Sequence, residues 1–137
     1  DWEKNLERIV IPQLIGIPGA RADGKVSVHR LVAKQMLAVW KAFADEGVLD
    51  RVLTFDGLYN PRYIRGGAAT RTLSNHAFAT AFDINFQWNK LGAEPAQAGE
   101  VGCVYELVPI AHRHGFYWGG HFSRRDGMHF EIAKLMT

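Results

Sequence analysis

Residues 77–85, with the sequence AFATAFDIN, place a carboxylate inside an otherwise apolar run. Read as a β-strand, this segment alternates its side chains between two faces. One face holds small and polar residues, and the other holds mainly bulky ones: Ala79, Ala81, Asp83 and Asn85 against Phe78, Thr80, Phe82 and Ile84. Small residues beside a carboxylate indicate a face that another group approaches closely. The segment therefore predicts a strand with a polar site on one side.

A second apolar segment carries polar residues in the same way. In DGMHFE, residues 126–131, one carboxylate lies three positions before His129 and another lies two positions after it. His76 precedes Asp83 by seven positions. A buried charge needs a counter-ion or a metal. A hydrogen bond between histidine and aspartate that stabilises the sheet is the simpler alternative, but it accounts for only one of the two histidines.

These residue types suit a catalytic zinc ion. Two imidazoles and one carboxylate are the minimum set of protein ligands, and they leave a position open for water. Zinc lowers the pKa of that water to about 7. A further carboxylate nearby then accepts the proton as general base. The pattern indicates metal-assisted hydrolysis.

The rest of the chain predicts helices and strands that are segregated rather than alternating, which favours an α+β fold. The predicted elements are a short helix over 2–10, irregular chain over 11–23, a helix with Ser27 as N-cap ending at Gly47, a strand over 51–55, a turn after it, a loop over 87–99, a helix from about Glu100 to His114 that Pro109 kinks or delays, and strands over 116–118 and 128–133. The first long helix presents an apolar stripe to the core, with Val28, Val32, Met36, Val39, Trp40 and Phe43 at spacings of three and four.

Composition excludes several classes of protein. The chain has 137 residues, 47% of them apolar, which suits one globular domain. Sixteen Lys and Arg against fourteen Asp and Glu leave a net charge of +2, without the basic stripe of a nucleic-acid partner. No run approaches the roughly 20 apolar residues of a membrane span. Cys103 is the only cysteine, so an intrachain disulfide is excluded and the core or a metal must supply stability.

Several segments together resemble a known family. The segments are LYNPRYIRGG at 58–67, LSNHAFATAFDIN at 73–85, the helix before HGFYWGG at 114–120, and DGMHFE at 126–131. They resemble the zinc peptidases of bacterial cell walls: D-alanyl-D-alanine carboxypeptidases, D-Ala-D-Ala dipeptidases and phage L-alanyl-D-glutamate endopeptidases, including the VanY-type enzymes. The resemblance runs from about Val28 to Leu135. It implies the Hedgehog/DD-peptidase-like fold, a small α+β domain whose antiparallel sheet packs against helices.

The resemblance implies roles for individual residues. His76, Asp83 and His129 match the ligands of one Zn²⁺ ion, and Asp126 matches the catalytic base. Arg62 best matches an arginine that steadies the substrate carbonyl or carboxylate.

Further positions match less closely. Arg65 is the reserve for Arg62, Ser74 matches a substrate contact, and His121 lies in a loop beside the expected cleft. Glu131 is expected to orient a ligand, with a role as base as the alternative. One departure is Ala79, which stands where the family usually has glycine.

The remaining histidines and the cysteine have simpler interpretations. His112 and His114 are expected to be structural at a helix C-terminus, where the dipole favours them. His29 is expected to be exposed in the first helical turn. Cys103 is expected to be inert core, although a cysteine amidase is a possible third function. A non-catalytic zinc-bearing module that binds cell wall or protein is the main alternative to the peptidase.

The expected organisation is one zinc peptidase domain over residues 1–137, with an irregular segment over 1–25 and the motifs within about 28–135. We expect a monomer that acts on peptidoglycan peptides, with no nucleic-acid partner and no membrane span. The chain begins at Asp1 without a signal-peptide pattern. The resemblance implies a place outside the cytoplasm (periplasm, cell wall or secreted) or a phage lysin.

Overall fold

The computed structural model describes residues 2–60 and 79–136. Within these ranges the chain forms two antiparallel sheets and two α-helices, so the α+β prediction is confirmed. The first sheet pairs β1 (Leu6–Val10) with β2 (Lys25–His29), and the second has the strand order β3-β4-β6-β5. Its strands are β3 (Phe55–Tyr59), β4 (Ala81–Ile84), β5 (Phe116–Trp118) and β6 (His129–Ile132), and the helices are α1 (Ala33–Asp45) and α2 (Val108–Arg113).

The core lies between α1 and one face of the larger sheet. All six residues of the predicted stripe are buried, but Val28 lies in β2 and Val32 in a 3₁₀ turn, so only the last four belong to α1. Trp40 contacts Phe82 of β4 with ring centroids 5.3 Å apart. Phe82 stacks on Phe130 of β6 at 5.2 Å and meets Phe116 of β5 at 5.5 Å. Aromatic pairs at such distances add to the free energy gained by burying apolar area. Because successive side chains of a strand point to opposite faces, the residues next to these aromatics in the chain lie on the other face of the sheet.

The N-terminal part of the chain contradicts two predictions. Residues 2–5 form a 3₁₀ turn and residues 6–10 form β1, where a helix was expected. Ser27 does not cap a helix, because it lies in β2 opposite Arg8. The pairing of the two strands decides both outcomes, since tertiary context commonly overrides local propensity. The expected irregular segment therefore contains one strand, and 3₁₀ and turn structure follows it.

His29 is also placed differently from the prediction. It ends β2, only 2% exposed, and its Nδ1 accepts a hydrogen bond from Leu31 N at 3.2 Å. This contact caps a 3₁₀ turn over Arg30–Val32, after which α1 begins. A histidine expected on the surface thus caps the start of the helical segment.

The middle of the chain corrects further boundaries. Of the strand predicted over 51–55, only Phe55 lies in a strand, because Arg51 ends a 3₁₀ turn over Leu49–Arg51. β3 instead continues to Tyr59, through residues predicted as a turn, with a bulge between Phe55 and Gly57. The second helix starts late, at Val108, because Pro109 fits the first helical turn but not a helix interior. Cys103 therefore lies in irregular chain before α2, half-buried, and not on a helical stripe.

The C-terminal predictions are confirmed. β5 and β6 occupy the two expected segments, and the chain between them is a loop that contains a 3₁₀ turn over Gly119–His121. His114 is structural, since its Nδ1 lies 2.9 Å from Ile110 O. No helix in the described ranges is long and apolar enough to span a membrane.

Candidate active site

The register of β4 and β6 brings the candidate site together. Asp83 lies directly opposite His129, and Ala81 lies opposite Glu131. His129 Nδ1 is 2.8 Å from Asp83 Oδ1, and His129 Nε2 is 2.9 Å from Glu131 Oε1. All three polar side chains are buried, with exposures of 3%, 0% and 0% for Asp83, His129 and Glu131. An imidazole is thus held between two carboxylates on the sheet face opposite the aromatic core.

This donor set fits a metal cation in two ways. Carboxylate and imidazole groups are the side chains that bind zinc and similar divalent cations, and Asp83 and His129 bring one of each together on adjacent strands. Metal-binding histidines also commonly donate their second ring N–H to a carboxylate, which orients the ring. Asp83 and His129 have the chemistry of ligands, and Glu131 has the position of the orienting carboxylate.

The described residues contain only part of the predicted ligand set. They include no group of three or more His, Cys, Asp or Glu side chains arranged to hold a metal. His76, the third predicted ligand, lies outside the described residues. The same holds for Arg62, Arg65 and Ser74, whose predicted roles stay predictions.

Asp126, three residues before His129, is held in place by two backbone hydrogen bonds. Its backbone N donates to Gly119 O at 2.9 Å, and its backbone O accepts from His129 N at 3.0 Å. Gly119 permits this approach, because a Cβ there would lie 2.3 Å from Asp126 O. The Asp126 residue is fully buried. The three-residue spacing seen in the sequence is therefore a hydrogen-bonded turn that fixes Asp126 relative to His129.

His121 and its neighbour Phe122 lie in the loop beside this turn. The His121 side chain packs among rings, 5.0 Å from Trp118 and 5.7 Å from His112 between centroids. Burial lowers the pKa of His112, and the charge of His121 lowers it further. The loop reaches the site through Phe122, whose ring centroid is 6.4 Å from that of His129. Sequence reasoning singled out His121 and missed Phe122, which carries no signal of a polar site.

Ala79 departs from the family pattern at a position with unusual backbone geometry. Its φ is +59°, in the left-handed region that glycine adopts without steric cost. Its carbonyl accepts a hydrogen bond from His29 N at 3.1 Å, which ties the turn before β4 to the end of β2. The backbone conformation accounts for the glycine that the resemblance leads one to expect here.

The strand pattern predicted that Asn85 shares the polar face with Asp83, but the structure places Asn85 after the end of β4. It leaves β4 with φ +53°, and its amide group turns to neighbouring backbone. Oδ1 accepts from Leu53 N at 2.8 Å, while Nδ2 donates to Arg51 O at 2.8 Å and Gly102 O at 3.2 Å. Asparagine tolerates this conformation better than most residues, which was the available sequence signal.

A cavity of about 410 Å³ opens beside the candidate metal ligand. The described residues that line it are Asp56, Tyr59, Asp83, Phe86 and Met128. The rings of Tyr59 and Phe86 are partly open to solvent, with exposures of 43% and 48% for the two residues. The sequence predicted a turn at Tyr59 and gave no role to Phe86. Neither residue was therefore predicted to line a cavity beside Asp83.

Comparison with protein families gives one match. Residues 67–132 match the model of an M15 peptidase family described as D-alanyl-D-alanine carboxypeptidase. The matched range includes Asp83, Asp126, His129 and Glu131. The chain has no significant match among curated proteins, and none among solved structures. The match covers residues 67–132, just under half of the chain, and supports the resemblance of this part to the M15 family of D-alanyl-D-alanine carboxypeptidases.

Proposed function

We propose that the protein is a zinc-dependent peptidase that hydrolyses peptide bonds in peptidoglycan stem peptides. One observation carries the proposal: Asp83 and His129, two of the three expected ligands, meet at 2.8 Å in a buried position on adjacent strands. The family match supports a hydrolase of the peptidase type. The proposal goes beyond that match by assigning zinc as the metal and peptidoglycan peptides as the substrate.

The expected zinc ligands are His76, Asp83 and His129. When bound, zinc supplies Lewis-acid chemistry, since it polarises a carbonyl and lowers the pKa of water to about 7. Glu131 Oε1 accepts a hydrogen bond from His129 Nε2, so the imidazole keeps one orientation and presents Nδ1 to the side of Asp83.

Proton transfer is assigned to Asp126. Its carboxylate accepts the proton of the attacking water and then donates it to the amine of the leaving group, as a general base and then a general acid. The turn from Asp126 to His129 holds this carboxylate close to the ligand strand without placing it on that strand. Arg62, with Arg65 in reserve, steadies the negative oxygen that develops on the substrate, and Ser74 and His121 contact the peptide.

Two reactions are consistent with this arrangement, namely D-Ala-D-Ala carboxypeptidase and L-Ala-D-Glu endopeptidase activity. Both would place a monomeric enzyme at the cell wall, outside the cytoplasm or in a phage lysin. A zinc-bearing module that binds cell wall or protein without cleaving it would need the same buried Asp83–His129 pair. A buried carboxylate at Asp126 favours the enzyme over that module, because metal binding alone has no use for a base.

Replacing Asp126 tests the proposal. Asp126→Asn should reduce the cleavage rate of purified peptidoglycan by roughly 10²–10⁴-fold, the usual contribution of a general base. Metal content should stay at one zinc per chain, because Asp126 is not a ligand. Released fragments are measured by mass spectrometry with and without a chelator, and metal by elemental analysis. Glu94→Gln, an exposed carboxylate in a neighbouring loop, is the matched control.

Other results would point to the alternatives. Wild-type turnover by Asp126→Asn would show that the base is misassigned. Bound zinc with no cleavage of any stem peptide would favour the binding module. Cleavage that resists chelators but disappears in Cys103→Ala would indicate a cysteine amidase. The masses of the released fragments identify which bond is cut.

A further inference from the structure

The cavity beside Asp83 has two aromatic walls that are exposed but held in place. Tyr59 lies at the end of β3, and Phe86 follows directly after the left-handed residue Asn85. Met128, next to His129 in the chain, completes the apolar lining among the described residues. Exposed rings that line a concave site next to a candidate ligand are typical of substrate contacts.

Asp56 organises both walls. Its Oδ2 accepts hydrogen bonds from Phe86 N at 3.0 Å and from Thr54 Oγ1 at 3.0 Å. Its backbone carbonyl accepts from the Tyr59 hydroxyl at 2.9 Å. Asp56 therefore fixes the backbone of one wall and the hydroxyl group of the other.

Gly57 makes room for the Tyr59 ring. It lies opposite Asp83 in the register of β3 and β4, at φ +117°. A Cβ at this position would lie 3.2 Å from the Tyr59 ring, so the ring folds back over the glycine. The wall is consequently placed immediately beside the strand position that carries Asp83.

The charge of the cavity favours one kind of substrate group. None of its described lining residues is a lysine, arginine or histidine, and Asp56 is a carboxylate that the proposed zinc site does not use. No donor among the described residues contacts Asp56 Oδ1, so this oxygen keeps its capacity to accept. Aromatic faces attract alkylammonium groups, and a carboxylate strengthens the interaction through charge-assisted hydrogen bonds. The methylene stem of such a side chain packs on apolar surface.

We infer that this cavity is a subsite for a substrate side chain with an aliphatic stem and a terminal ammonium group. The stem lies between Tyr59 and Phe86, and the ammonium group donates to Asp56. The inference rests on the proposed function, because it places the subsite next to the reacting bond of a peptide. It assigns Asp56 and Phe86 as residues that determine specificity.

Two sets of cell-wall fragments test the inference, one with free amino groups and one whose amino groups have been acetylated. The wild-type protein should prefer the free amines by on the order of tenfold in kcat/KM, mainly through KM. Asp56→Asn keeps an oxygen that can accept from Phe86 N, so the walls are retained, but the preference should disappear. Phe86→Ala, at an exposed position, should lose roughly tenfold in kcat/KM for the free amines. Glu94→Gln should keep the wild-type preference.

Equal cleavage of both fragment sets by the wild-type protein would overturn the subsite and leave the peptidase standing. A preference that persists in Asp56→Asn would also overturn it. If the wild-type protein cleaves neither set, the proposed function fails, and dissociation constants for the same fragments then decide. Tighter binding of the free amines by wild type, but not by Asp56→Asn, would support the subsite, and equal binding would refute it.

Discussion

Ala79 occupies a backbone conformation that disfavours any residue with a Cβ. At φ +59°, the Cβ approaches the following carbonyl group, which costs about 1–2 kcal/mol for an L-residue. The residue is also fully buried, so its methyl group contributes apolar packing. These two effects oppose each other at one position, just before the strand that carries Asp83.

Ala79→Gly should therefore change stability very little. Glycine relieves the strain, but it loses a buried methyl worth about 0.8 kcal/mol and gains freedom in the unfolded chain worth about 0.5–1 kcal/mol. We expect the free energy of unfolding to stay within about 0.5 kcal/mol of the wild-type value in urea titrations.

Ala111→Gly is the matched comparison. Ala111 is also fully buried, but it lies within α2 in ordinary helical structure. The same substitution there should cost roughly 1–2 kcal/mol, because helix propensity and packing are both lost. Equal losses at the two positions would show that the left-handed conformation of Ala79 carries no cost.

At the scale of elements, Gln35 joins α1 to the chain around α2 and the C-terminal segment. Its Nε2 donates to His114 O at 2.6 Å and to Lys134 O at 2.8 Å, and its Oε1 accepts from Met136 N at 3.1 Å. The side chain is buried, with 5% exposure. One amide group thereby satisfies three backbone groups that lie outside regular secondary structure.

Gln35→Met should destabilise the protein by about 2–4 kcal/mol. Methionine has a similar length, so packing is largely kept, while two carbonyls and one N–H lose their partner at about 1–3 kcal/mol for a buried group. Denaturant unfolding followed by circular dichroism measures the loss. Lys34→Met, at the exposed neighbouring position, should stay within about 0.5 kcal/mol. A loss below 1 kcal/mol for Gln35→Met would mean that water or rearrangement replaces these bonds.

The sequence predicted best the elements whose polar residues interrupt an apolar run. Asp83 and His129 stood out in this way, and they face each other on adjacent strands. The buried face of α1 was also predictable, because the burial of one helix face spaces apolar residues three and four positions apart.

Other elements depend on partners that are distant in the chain. β1 has no alternation strong enough to oppose a helix prediction, and only pairing with β2 makes it a strand. Gln35 and Asn85 bond to backbone groups that no local pattern identifies. The cavity walls Tyr59 and Phe86 come from segments 27 positions apart, which the fold brings together around Asp56.

For the molecule as a whole, the larger sheet separates two kinds of stabilisation. One face packs aromatic rings against α1, and the other buries Asp83, His129 and Glu131. Buried carboxylates are costly unless a cation compensates them. If zinc binds between β4 and β6, its binding free energy is added to the stability of the folded state alone.

Zinc should therefore raise the melting temperature. At a free zinc concentration about 100 times Kd, linkage adds about 2.7 kcal/mol. For a domain of this size that corresponds to roughly 8–12 °C between the zinc-loaded and the chelated protein in scanning calorimetry. Asp83→Asn should remove the shift, whereas Asp126→Asn should keep it, because Asp126 is assigned to proton transfer and not to the metal. An equal loss in both variants would make Asp126 a ligand, and no shift in the wild-type protein would exclude zinc as a structural partner of this sheet.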